Sequence, residues 1–393
     1  MVTVECDDPA LERALRSHAG LLLEQGGTIA PGVVIRARDG EISVAHRDPP
    51  PPDIPLITVL DASLVRIGDK TLCLQGDEIL PGSDFSKLSR DQQHILAAQC
   101  DVYNLGRKVA HMRARLPKFA YQAAPGLLTA LVTRRLPGQA ISGSARDTQS
   151  PVTPPDALDT FLASRVLTWR DLNMQSQTTT VLMSLIDYFD HHHNGARYDA
   201  QSAPARLSVS AARRGSPEDV CFADYHAGDA HTTFLHHGFV DTSTPFTRLA
   251  SFEVELPDLG MLRVRPGRAR RDPIGLSEGK GERAFPTPMV ESPDANTTEV
   301  SNLVIKRTGE RSVLRRGLAI ALLDRFMGRD QAWVEQTIDR VEEAVLERTR
   351  AYYAGLRDLA LISSGIVDPA PVLALVDHQN AVLDRYVAEM PAR

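Results

Sequence analysis

Residues 181–199 read VLMSLIDYFDHHHNGARYD: an apolar run ends in acids, then three consecutive histidines, then Asn194-Gly195. A second block, residues 221–246, reads CFADYHAGDAHTTFLHHGFVDTSTPF. Together they hold seven of the chain's twelve histidines, with Asp187, Asp190 and Asp224 among them. Titratable side chains gathered this way mark where chemistry is expected. The rest of the chain reads as a frame that brings the two blocks together.

That frame changes period along its length. Leu11 to Gln25 has helical spacing, and Gly26-Gly27 stops it. Val33–Arg36, Ile42–Ala45 and Leu56–Leu60 are short β-rich runs, with Asp39-Gly40 a hairpin signal between the first two. Helical spacing returns from Leu88 to Ala114, where Ser89 and Gln92 have the form of a capping box. Leu127–Thr133 predicts a further helix, residues 137–156 a loop, and Asp156–Asp171 another helix. Residues 205–211, 220–225, 251–256 and 262–264 read as strands. From Ser312 the pattern is three amphipathic helices; Trp333, Ile338, Val341, Val345 and Tyr352 form the buried stripe of the middle one, and Tyr352-Tyr353 reads as core.

Composition excludes several classes. With 24% charged and 42% hydrophobic residues the chain reads as soluble and globular, long enough for two or three domains. A net charge of −6 argues against a nucleic-acid partner. No apolar run has the length of a membrane span and no signal peptide opens the chain, so a cytoplasmic protein with no membrane partner is expected. Four scattered cysteines without CxxC fit a reducing compartment. The excess of arginine over lysine suggests a GC-rich bacterial source. Strands and helices do not alternate as βαβ units, and GxGxxG, Walker A and GxSxG are all missing, which argues against a Rossmann cofactor domain.

The blocks also carry a resemblance. Asp187-Tyr188-Phe189-Asp190-His191 is similar to the D-x-x-N-H signature of SET-domain methyltransferases, with Asp for Asn. Tyr225-His226, then Thr233 to Val240 and Thr244-Pro245-Phe246, resemble the family's closing "Y-G" and "E-L-L-x-x-Y-G-F-V…NP" words. Gly40 to Asp48 and Pro55 to Leu60 resemble its opening pair of strands. The layout is similar to the subgroup that includes the Rubisco large-subunit lysine methyltransferase and the actin histidine methyltransferase.

The resemblance implies an α+β chain, a SET-type fold of small antiparallel sheets with a helical insert and a helical C-terminal domain. The expected boundaries are 1–85 for the first part of the SET domain, 86–156 for the insert, 157–290 for the second part and 291–393 for the helical domain. It implies S-adenosylmethionine as cofactor, held by Asp190 and His191, with Glu41 and Ser43 near the adenosyl group. Arg170, or Arg165 close by, would meet the methionine carboxylate. It places His237 and Tyr225 at the transfer site, His237 standing where relatives keep a tyrosine; an imidazole there can act as a base near neutral pH. The implied substrate is a small molecule or peptide, or a protein docked by the C-terminal helices, offering an amine or imidazole.

Two other readings of the same residues stay open. Asp187, Asp190, His191, His193, Asp224, His226 and His231 are metal-ligand types, although their spacing matches no HExxH or facial triad. Alternatively, His191 to His193 and His236-His237 only bond to backbone carbonyls; a SET-like protein that binds without catalysis is a further alternative.

Overall fold

The computed structural model describes all residues except 1, 49, 140–155, 171–177, 203–204, 213–219, 226–227, 258, 268–274, 277–284, 287, 309–310 and 391–393. The architecture is α+β, with small sheets and a helical C-terminal region. The chain divides into two compact units: Met1–Arg115 with Pro155–His226, and Leu116–Pro154 with Ala227–Arg393. Each has its own hydrophobic core.

The first unit begins with a strand, Thr3–Cys6, running parallel to Val33–Arg38, which forms an antiparallel hairpin with Glu41–His46. Its turn works because Asp39 and Gly40 both take positive φ, 51° and 78°, the twist a two-residue hairpin needs. A four-stranded sheet runs in the order Tyr198–Ser202, Ala205–Ser210, Pro55–Leu60, Thr28–Ile29. Ile35, Ile57, Val59, Leu207 and Val209 from these sheets share one core with Leu15 and Leu22 of the helix Pro9–Glu24. Each such side chain contributes roughly 1.5–3 kcal/mol. Asp8 caps that helix, accepting from Ala10 N–H at 2.7 Å. His18 lies within its apolar stripe, where its ring nitrogens meet Tyr188 Oη at 2.9 Å and Ser184 Oγ at 2.8 Å. Burial lowers the His18 pKa to about 3, so a neutral imidazole fastens the N-terminal helix to the 181–199 stretch.

The second unit contains a sheet in the order Phe252–Leu256, Gly260–Arg265, Thr297–Ser301, Met289–Asp294. It also contains the helices Pro125–Thr133, Ala230–His237, Val313–Ala321, Gln331–Ile362 and Ala370–Ala388. The stripe expected of the long helix is buried at Ile338, Val341, Val345 and Tyr352, and both tyrosines of the 352–353 pair are core. At the centre of this unit Arg134 pairs with Asp229 through two bonds, 2.9 and 2.6 Å, with both side chains buried. Asp229 also accepts from Thr232 N–H and Arg248 N–H, and so caps the helix Ala230–His237. Burial opposes this ionisation, but Arg134 wins and holds the Asp229 carboxyl far below the ordinary range.

Several local readings are corrected. The helix expected over 156–171 ends at Ala163; Val166–Arg170 is a strand paired with Thr178–Leu182. Asp156 does cap the short helix, accepting from Asp159 N–H. After it, Val166, Thr168 and Trp169 favour extended backbone. The helical run 88–114 is two helices, Arg90–Leu105 and Lys108–Arg115, broken at Gly106 and at Arg107, whose φ is 49°. The capping box at Ser89 is present. The 137–156 loop lies almost wholly outside the described residues. Among the described residues no helix is long and apolar enough to cross a membrane.

Candidate functional site

In the first unit three segments converge. The histidine strand Asp190–Ala196 pairs in parallel with Phe222–Ala223, placing Asp190 beside Phe222 and His191 beside Ala223. Cys221 N–H donates to the Val44 carbonyl at 2.8 Å, and Val220 bridges Ala45, so the Glu41–His46 strand joins the same cluster. Further along the histidine strand the two backbones nearly touch. A Cβ on Gly195 would stand 2.5 Å from the Ala223 carbonyl carbon and 2.9 Å from Asp224 N. Asp224 N–H then donates to the Ala196 carbonyl at 2.7 Å. Only glycine permits that approach.

The crossing orients two of the sequence-derived site residues. Tyr225 N–H donates to His191 Nδ1 at 3.1 Å, which places the ring proton of a neutral His191 on Nε2. The Tyr225 hydroxyl donates to the Phe189 carbonyl. Their rings lie 5.0 Å apart between centroids, and Tyr198 stacks on Tyr225 at 6.5 Å. Burial pushes the Tyr225 hydroxyl well above the ordinary phenol range, so it stays protonated. Asp190 and His191 alternate across the strand, the first exposed and the second buried. Although Asp190 reaches solvent, partial desolvation raises its pKa to about 6, against the pull of Lys108.

Behind it lies a group that sequence reading only partly found. The Asp187 side chain is 3% exposed. Its Oδ2 accepts from Tyr103 Oη at 2.6 Å, Tyr103 accepts from Gln99 Nε2 at 2.5 Å, and Arg165 Nε stands 3.9 Å from the carboxylate. Among the described residues Asp187 Oδ1 has no hydrogen-bond partner. Burial outweighs Arg165, Tyr103 and Lys108 and lifts the Asp187 pKa to about 6. The Arg165 guanidinium lies 3.9 Å from the Phe161 ring centroid and 5.7 Å from that of Tyr103, which fixes its plane.

The remaining assignments divide. Glu41 is held by one face of the helix Lys108–Arg115: Lys108 Nζ at 3.1 Å, His111 Nδ1 at 3.9 Å, and Arg115. Burial works to raise the Glu41 pKa, but Lys108, then Arg115 and His111, prevail and lower it. Its carboxylate is thus already engaged. Ser43 pairs with Arg36 in the hairpin and is half-buried. Arg170 ends the strand Val166–Arg170, and its side chain lies outside the described residues, as does His226. Arg165 is the arginine placed at the acid cluster. His237 belongs to the second unit, where it ends the helix Ala230–His237 before Gly238, at φ 78°. Its ring lies 6.2 Å from that of Phe239. Among the described residues no three His, Cys, Asp or Glu side chains group as a metal ion would require.

No family model matches the sequence. No curated protein matches it either. Among solved structures, one match is similar over nearly the whole chain. That neighbour is a SET domain. It is the crystal structure of the SET domain of LSMT bound to lysine and AdoHcy, 12% identical, with a TM-score of 0.41, covering 97% of this chain and 91% of that one. A likeness this distant carries no argument about chemistry, which has to come from the residues.

Sequence reasoning did not single out Tyr103, Lys108 or Gln99. Lys108 had one local signal, a lysine directly after the helix break at Gly106-Arg107. Tyr103 and Gln99 had none, because four-residue spacing on a buried helix face is what any core helix shows.

Proposed function

We propose that the first unit holds an S-adenosylmethionine site of SET type and that the protein is a methyltransferase. The observation that carries the proposal is the Gly195 crossing, which brings the D-x-x-D-H word at 187–191, Tyr225 and the Glu41–His46 strand into one cluster. These are some of the words on which the SET resemblance rests; Thr233 to Val240 and Thr244 to Phe246 belong to the second unit.

The chemistry of the cluster fits the cofactor. A sulfonium and an α-ammonium both seek negative charge, and Asp190 and Asp187 offer it. Asp187 Oδ1, without a partner among the described residues, is a buried acceptor; leaving one unsatisfied costs about 1–3 kcal/mol, which a donor on a ligand would relieve. Arg165, with its plane fixed by Phe161, suits the carboxylate at the other end of an amino acid. When bound, S-adenosylmethionine supplies a methyl group on a positively charged sulfur, open to in-line displacement. The chain's own residues then orient and set charge. His191 and Tyr225 hold each other, Tyr225 remains a neutral hydroxyl, and Asp190 carries its full negative charge only above about pH 6. To His237 we assign proton removal from the accepting amine or imidazole, on the resemblance alone.

Calorimetry with S-adenosylmethionine and S-adenosylhomocysteine tests the proposal. Saturable binding, weakened at least tenfold (about 1.4 kcal/mol) by Asp190→Ala, is the expected result. Purified protein with no affinity for either compound overturns it. His237→Phe is expected to leave binding intact while abolishing release of S-adenosylhomocysteine with an accepting substrate; unchanged turnover would remove His237 from the mechanism. The substrate we propose is a small molecule, peptide or protein with an amine or imidazole, a protein substrate docking on the C-terminal helices.

A further inference from the structure

The second unit holds a cavity of about 170 Å³, open to solvent on one side. Three elements wall it. The long helix Gln331–Ile362 supplies Arg348, Ala351 and Tyr352. The strand Phe252–Leu256 and the residue before it supply Ser251, Phe252 and Glu253. The turn that follows the helix Pro125–Thr133 supplies Gln139.

These walls are fixed to one another by backbone groups. Tyr352 Oη donates to the Ala130 carbonyl at 3.0 Å. Ser251 N–H donates to the Arg134 carbonyl at 2.8 Å, and its Oγ to the Thr133 carbonyl at 3.1 Å. Leu136 sits on the long helix at Gly355, where a Cβ would stand 2.4 Å from Leu136 Cδ1. Glycine inside a helix costs roughly 1 kcal/mol against alanine, and here it admits the turn. Gln139 N–H then donates to the Leu136 carbonyl at 3.3 Å, while Gln139 Oε1 accepts from Leu136 N–H at 3.2 Å, which closes the turn.

The polar groups of the lining differ in what they have left to offer. Ser251 Oγ and Tyr352 Oη already spend their protons on carbonyls. Glu253 accepts from Arg263 Nε at 2.8 Å. What remains is a set of donors, Gln139 Nε2 and the Arg348 guanidinium. Arg348 is exposed, and among the described residues no hydrogen bond or ion pair engages it. Its helix neighbours three and four residues away are Ala344, Val345, Ala351 and Tyr352, so no carboxylate shares its face. The other arginines of the same helix are engaged: Arg340 with Thr337, Arg350 with Asp384 and Arg357 with Asp377. Beside this free cation lie two buried aromatic side chains, Phe252 and Tyr352.

We propose that the cavity is a binding site for a small aromatic carboxylate, with its ring against Phe252 and Tyr352 and its carboxylate taken by Arg348 and Gln139. Size sets the first limit, since an apolar cavity of about 150 Å³ accepts one benzene ring. Charge sets the second: a planar guanidinium without a partner matches a carboxylate in two parallel bonds. An inorganic anion would satisfy Arg348 and leave the aromatic wall wet. A neutral ring would cover that wall and leave Arg348 unpaired. The site goes beyond the methyltransferase reading and does not depend on it.

Calorimetry of the full chain with benzoate tests the proposal. Saturable binding at a single site is expected. Arg348→Gln should weaken it by about fivefold, the upper end for an ion pair that reaches solvent. Ala351→Trp, at an exposed helix position, should fill the cavity and abolish binding while the unfolding midpoint stays near that of wild type. Benzyl alcohol, which keeps the ring without the charge, and benzylamine, which reverses the charge, should both bind more weakly than benzoate. Inorganic phosphate should not displace benzoate. Absence of saturable benzoate binding, an affinity unchanged in both variants, or displacement by phosphate overturns the proposal.

Discussion

Each unit buries a carboxylate beside an arginine, and the two sites behave in opposite ways. In the second unit Asp229 has two bonds from Arg134, two from backbone N–H groups and one from the Thr232 hydroxyl, and its pKa is driven far down. In the first unit Asp187 has, among the described residues, one bond from Tyr103, an arginine at 3.9 Å and one oxygen without a partner, and its pKa is pushed up to about 6. Burial is similar; satisfaction is not. A carboxylate whose lone pairs are all engaged behaves as a structural rivet. One left partly unpaired, with Asp190 at about the same pKa nearby, holds the fold together less well and has capacity left for a ligand.

The contrast is broken most severely at Asp229. Asp229→Ala leaves Arg134 buried and uncompensated, and should cost about 3–5 kcal/mol in urea unfolding. A loss below 1 kcal/mol would put Asp229 in the same class as Asp187. Gly195→Val comes next: its side chain meets the Ala223 and Asp224 backbone, which cannot yield as a side chain can. The crossing should open at a cost of about 3 kcal/mol, with cofactor binding lost; retained binding would separate the crossing from the site.

Asp190→Asn sharpens the comparison through pH. Asp187 and Asp190 have folded pKa values raised above the unfolded one, so the stability they contribute is complete below about pH 4 and is lost as pH rises through about 6. Asp229, with a depressed value, contributes stability that is present above about pH 4 and lost only in strong acid. Wild-type stability minus that of Asp190→Asn should therefore fall between pH 4 and 7 by about 3 kcal/mol, discounted toward 1 kcal/mol because Asp190 reaches solvent. Cofactor affinity should rise over the same interval. A flat difference curve would show that Asp190 is not poised. The smallest effect is a control outside both sites: Ser89→Ala removes the bond from Gln92 N–H and should cost about 1 kcal/mol without touching cofactor binding.

The sequence announces whatever is local. The Asp39-Gly40 turn, the Ser89 capping box and the stripe of the long helix follow from neighbours within a few residues. The pairing of His191 with Tyr225 was legible through the resemblance, across 34 residues of chain. Lys108 and Tyr103 were not, because their meaning lies in what surrounds them. A lysine reads as solvated and a tyrosine as core until a distant Glu41 or Asp187 arrives. The Val166–Arg170 strand was hidden for a related reason: helix and strand compete closely in a short apolar run, and pairing with Thr178–Leu182 decides it.

The sheet of the first unit has a consequence for synthesis. Pro55–Leu60 is flanked on one side by Thr28–Ile29, already made, and on the other by Ala205–Ser210, which leaves the ribosome much later. At bacterial or eukaryotic elongation rates the wait is on the order of ten seconds. Throughout it a β-rich strand offers a bare edge to other nascent chains. Circular permutation with new termini between the two strands would make Ala205–Ser210 first, so that Pro55–Leu60 would emerge with both of its sheet neighbours already made.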